Sequence, residues 1–144
     1  MNEMINDYIL DVCDYMGIDP PELSYNTDHF SSDTMIAQCS PDGSTIFVKP
    51  YEKRPTMDHY FAIAHELRHV WQIRTDKNKY MADYKPVSLC GSIEEYNLQP
   101  AEIDANAFAA AVMMDAFGVK PLFENQSEKV KSEIWDRVKC FFGR

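Results

Sequence analysis

Five consecutive residues, His65-Glu66-Leu67-Arg68-His69, restrict the fold of this chain more than any other stretch. Two histidines four apart on an α-helix stand about 40° apart around its axis and one turn along it, so both imidazoles reach one point. Glu66 projects at a neighbouring angle, close enough to touch a water held at that point without being a ligand itself. The spacing has this meaning only on a helix, and the surrounding sequence supplies one. Thr56 is a fitting N-cap, and residues 57–74 carry Tyr60, Ile63, Ala64, Leu67, Val70 and Trp71 at helix-compatible positions.

A catalytic Zn²⁺ takes three protein ligands and keeps one position open, so the two histidines need a partner. A third histidine further along the same segment would serve, but position 72 is Gln72 and position 75 is Thr75. A carboxylate on a later helix is the other solution. Pro100 suits the first turn of a helix over Ala101–Phe117, which Gly118 ends. There Glu102 and Asn106 lie one turn apart on one face, so Glu102 is the expected third ligand and Asn106 the group that orients a ligand histidine. Asp104 is the rival, pointing about 200° away from Glu102. Glu94 and Glu95, in the preceding loop, are weaker rivals. Small residues at Ala105, Ala109 and Ala110 allow this helix to approach the first one closely.

His65–His69, together with the E-x-x-A-N-x-F-A run at Glu102–Ala109, resembles the ImmA/IrrE family of small zinc metallopeptidases. The resemblance covers roughly residues 44–117. It implies a minimal gluzincin-like fold, His65, His69 and Glu102 as zinc ligands and Glu66 as the catalytic acid/base. It also implies a bacterial, phage or mobile-element setting, in which some members cleave a helix-turn-helix repressor. Arg68 stands where members usually carry glycine, and no arginine-rich helix-turn-helix extension is present.

The rest of the chain is short. Its 144 residues suffice for one domain, 1–144, with a single modest core. Residues 4–16 place Ile5, Tyr8, Ile9, Val12 and Met16 on one helical stripe, with Gly17 at the C-cap position. Gly17–Ser32, with Pro20 and Pro21, reads as a connecting loop. Met35–Cys39 and Thr45–Lys49 flank the turn Pro41-Asp42-Gly43 and read as an antiparallel hairpin. Residues 75–99 read as a long polar, tyrosine-rich excursion, and Ser127–Phe142 as a final helix with Val130, Ile134, Trp135, Val138 and Phe141 on one stripe. The expected class is α+β, a small antiparallel hairpin packed against a mostly helical domain.

Charge narrows the partners. Fourteen Lys and Arg against 23 Asp and Glu give −9, a surface that repels phosphate backbones and anionic lipid heads, so neither nucleic acid nor membrane is expected. Met1–Ile5 carries an acid where a secretory leader carries a base, and no apolar run follows, which favours a cytoplasmic protein. Cys13, Cys39, Cys90 and Cys140 are scattered and read as free thiols of a reducing compartment. Cys90 is a weak candidate for a fourth, inhibitory metal ligand. His59 reads as a surface or core histidine.

Together these features predict a zinc endopeptidase acting on a polypeptide, possessing Zn²⁺ as cofactor and Glu66 as the group that activates water. A donor to the scissile oxygen besides the metal is available in Tyr80, Tyr84 or Tyr96, each of which is otherwise a packing tyrosine. The peptide is expected to add as a strand along Thr45–Lys49 or Met35–Cys39. The alternative is a regulatory, partner-binding protein that keeps a zincin fold without turnover. The intact Glu66 counts against it, and the lack of a fourth evident ligand counts against a purely structural zinc site.

Overall fold

The computed structural model describes residues 3–28, 30 and 32–142, and the arrangement is α+β. Helix α1, Glu3–Met16, buries Ile5, Tyr8, Ile9, Val12 and Cys13 along one face and stops at Gly17, whose φ of 74° is left-handed. Strands β1 (Glu22–Ser24), β2 (Ala37–Cys39) and β3 (Thr45–Val48) follow. The expected hairpin is β2–β3, antiparallel with Ala37 opposite Val48. Asp42 sets its turn by accepting from the Ser44 amide at 3.0 Å and the Ser40 hydroxyl at 2.8 Å.

The sheet corrects the sequence reading in one respect. It has three strands in the order β1-β3-β2, and β1 pairs with β3 in parallel, Leu23 beside Ile46. The sheet is therefore mixed, and part of the expected Gly17–Ser32 loop is a strand. Ile46 and Val48, both 0% exposed, point from the central strand into the core. β2 remains at the edge.

Helix α2, Met57–Thr75, is the hub that the sheet, α1 and the later helices pack around. Thr56 caps it by accepting from the His59 amide at 3.2 Å, while the His59 ring meets the Thr56 hydroxyl and the Lys49 carbonyl. His59 is thus a capping residue. Ile63, Leu67 and Val70 are fully buried, each worth about 1.5–3 kcal/mol of burial.

The 75–99 excursion is more ordered than expected. It contains α3 (Lys77–Met81), a single 3₁₀ turn at Val87–Leu89 and α4 (Ile93–Asn97), the two helices capped by the Asp76 and Ser92 side chains. Helix α5, Pro100–Phe117, has Pro at its first position and Gly118 at φ 65° beyond its end. It is buried on nearly every side from Ala101 to Ala111. Ala105 and Ala109 admit it against α2. Its other face, Ile103, Ala107 and Ala110, receives Val130, Ile134 and Val138 of α6 (Glu128–Phe141). Among the described residues no helix is long and apolar enough to cross a membrane.

Candidate metal centre

Helix α2 carries His65 and His69 one above the other, and the first turn of α5 brings Glu102 against them. The two Nε2 atoms are 3.1 Å apart. Glu102 Oε1 lies 3.3 Å from His65 Nε2, and Oε2 lies 2.9 Å from His69 Nε2. Two imidazole nitrogens and a carboxylate, all within 4.8 Å of one another, form a donor set that could hold a metal ion.

What fixes the rings is amide chemistry. His65 Nδ1 faces Asn106 Oδ1 at 2.8 Å, and His69 Nδ1 faces Gln72 Oε1 at 2.8 Å. An amide oxygen only accepts, so each Nδ1 is the donor and each Nε2 is left facing the common point. The Asn106 contact is the one its spacing from Glu102 suggested. Gln72, which the sequence reading notes only as lacking the third histidine, sits three residues after His69 and so shares its face.

Gln72 opens into a buried network that joins three helices. Its Nε2 donates to the Ala101 carbonyl at 3.0 Å and to Asp104 Oδ2 at 2.9 Å. Arg68 Nε donates to Asp104 Oδ2 at 2.7 Å, and Arg137 Nη2 of α6 donates to Asp104 Oδ1 at 2.7 Å. The Arg68 guanidinium also stacks 3.7 Å above the Trp71 ring. Asp104 is therefore neutralised by two arginines and is turned away from the histidines. Burial opposes its ionisation, yet Arg68, Gln72 and Arg137 together hold its carboxyl below the usual range. Of the remaining rival ligands, Glu94 is exposed and Glu95 bonds the Gly91 amide.

Glu66 is half-buried beside the cluster. Its Oε1 accepts from the Cys39 amide on β2 at 2.9 Å, and its Oε2 stands 3.7 Å from His65 Nε2. A cleft of about 420 Å³ opens here between the β2 edge and α2, lined among others by Met35, Glu66, His69, Met81, Tyr84 and Tyr96. Tyr84 donates to Glu102 Oε2 at 2.9 Å, and its oxygen is 2.8 Å from that of Tyr96. Tyr80 is elsewhere: it packs on Trp71 with its hydroxyl 3.5 Å from Arg137. Cys90 is also apart, its sulfur 4.0 Å from the Lys85 carbonyl.

The electrostatics follow from burial and pairing. For His69 burial disfavours the cation, but Glu102, bonded to it, and Glu66 nearby outweigh this and carry its pKa up to about 9. Burial likewise raises Glu102, and the two histidines more than offset it, holding the carboxyl well below its usual range. Tyr96 is pushed up to about 12 and Tyr84 further, by burial first and then by Glu102, so both remain hydroxyl donors.

Comparisons of the chain with models of known families, with curated proteins and with solved structures return no match. The reading of this centre rests on its own residues.

Proposed function

We propose that this protein is a zinc-dependent endopeptidase with a minimal zincin-like fold, in which His65, His69 and Glu102 hold the metal and Glu66 handles the proton. The observation that carries the proposal is the convergence of two Nε2 atoms and one carboxylate on a single point, with a second, half-buried carboxylate beside it on an open cleft. The donor set suits zinc, since three nitrogen and oxygen ligands leave one coordination position free. Bound there, the ion would act as a Lewis acid and bring the pKa of a water to around 7.

Glu66 then takes a proton from the attacking water and returns it to the leaving amine. The Cys39 amide, bonded to Oε1, keeps that carboxylate aimed into the cleft. Asn106 and Gln72 hold the imidazoles. The single Tyr84 O–H is given to Glu102, so of the two tyrosines on the cleft wall it is Tyr96 whose hydroxyl would turn from the Tyr84 oxygen to negative charge developing on the scissile oxygen. β3 is paired on both sides, so β2 is the strand along which an extended polypeptide adds. With a net charge of −9, neutral or basic polypeptides are favoured. The likeness of the two motifs to ImmA/IrrE peptidases supports the same reading.

A cleavage profile of a cell lysate with the zinc-loaded protein, set against Glu66→Gln, tests it. Neo-termini are expected with the wild type and are expected to fall about a hundredfold or more in a variant that still holds zinc. Equal profiles from the two proteins contradict the assignment.

A further inference from the structure

A second concave surface lies on the side of α5 away from the excursion. α1 and α5 both pack on α2, and between them runs a trench of about 480 Å³, lined also by Phe141 at the end of α6 and by Phe142 just beyond it. Its size is that of a ligand pocket, roughly 300–1,000 Å³. Its walls are two helical stripes. α1 contributes Tyr8, Val12 and Tyr15, spaced 4 and 3 apart, and α5 contributes Phe108, Val112 and Asp115 at the same spacings. This is the seam that two helices present to a third, and it runs for about two turns.

Charge says what the third helix carries. Neither 3–16 nor 100–117 contains a single Lys or Arg. One exposed carboxylate stands on each wall, Asp11 on α1 and Asp115 on α5. Among the described residues neither has an ion-pair or hydrogen-bond partner. The floor is apolar and aromatic, with Phe108 1% exposed, while Tyr15 at the rim is 68% exposed. Tyr15 and Phe142, left exposed over this buried floor beside two unpaired acids, are complementary to a helix with an apolar stripe and flanking cations.

We infer that this trench docks a basic amphipathic helix of a partner protein, its apolar residues at i, i+4 and i+7 seated between α1 and α5 and its Lys or Arg side chains meeting Asp11 and Asp115. The surface is separate from the metal centre, so the inference stands whether or not the chain is a peptidase.

The test uses the full chain and a synthetic helix of about 15 residues, leucine on one stripe and lysine elsewhere, with a glutamate-for-lysine peptide as its counterpart. Binding is measured by fluorescence anisotropy at about 150 mM salt. The lysine peptide is expected to bind and the glutamate peptide not to. Ala116→Trp, at an exposed position that fills the trench, and Asp11→Lys/Asp115→Lys are each expected to weaken binding about tenfold or more. Asp28→Lys/Glu124→Lys, with the same change in net charge at other exposed positions, is expected to stay within about twofold. Thermal melts establish that each variant is folded, and Ala116→Trp decides if the charge variant is not. No binding, equal binding of the two peptides, or equal loss in both charge variants overturns the inference. So does a chain that self-associates in sedimentation and is made monomeric by Ala116→Trp, because a second copy is then the occupant.

Discussion

Gln72 shows how much one side chain carries here. It is 0% exposed and uses both ends of its amide, accepting from His69 and donating to Asp104 and Ala101. Gln72→Met removes the acceptor for His69 Nδ1 while keeping the volume, and zinc affinity is expected to fall about 10–100-fold in a chelator competition. Gln72→Glu keeps the acceptor but places a carboxylate where an amide now donates to Asp104. It is expected to cost about 3 kcal/mol or more in urea unfolding. If Gln72→Met binds zinc as tightly as wild type, the amide does not position His69.

His69 also gives the metal-free chain a signed pH dependence. Its pKa rises from 6.5 unfolded to about 9 folded, so the stability it contributes is fully present below about pH 6.5 and is lost as pH climbs through 9. Zinc needs the neutral imidazole and works in the opposite direction. The rise in melting temperature on adding zinc is therefore expected to be larger at pH 8.5 than at pH 6. An equal rise at both values contradicts the pairing.

At the level of elements, α2, α5 and α6 are locked together by charge as well as by apolar contact. Asp104 on α5 is 2% exposed and binds Arg68 of α2 and Arg137 of α6. Asp104→Asn leaves a buried Arg68 without its counter-charge, and a loss of about 3–5 kcal/mol is expected in urea unfolding. A loss under about 1 kcal/mol would mean that solvent reaches the arginine. The Arg68 guanidinium fills the space between Trp71 and Asp104.

The longer elements were legible because their patterns are long. α1, α2, α5 and α6 each run for 14 residues or more; in α1, α2 and α6 that is enough for a 3–4 spacing to declare itself, while α5, buried nearly all round, is marked by Pro100 and Gly118 at its ends, as Gly17 and Thr56 mark α1 and α2. β1 was not, because three residues show no alternation and the partner that makes them a strand is β3. α3 and α4 are five residues each, too short for periodicity, and only their caps Asp76 and Ser92 could have announced them. Within the site, the pairs His65–His69 and Glu102–Asn106 are local, one turn apart on a helix, and could be read. The Gln72–Asp104–Arg68–Arg137 network depends on the register between three helices, which no single segment encodes.

For the whole molecule, the described elements form a small sheet, a hub helix and the helices around it, with the candidate metal centre where α2 meets α5 and the cleft beside the β2 edge. On the proposed function, the cleft wall and the 75–99 segment that supplies Tyr84 and Tyr96 are what a substrate would meet. The most direct measurement on this arrangement is zinc per chain, by elemental analysis after chelator treatment, reloading and dialysis. One zinc per chain is expected for wild type and Glu66→Gln, and little or none for His65→Ala and Glu102→Ala. A wild type without zinc, or a Glu102→Ala that keeps a full equivalent, would contradict the assignment.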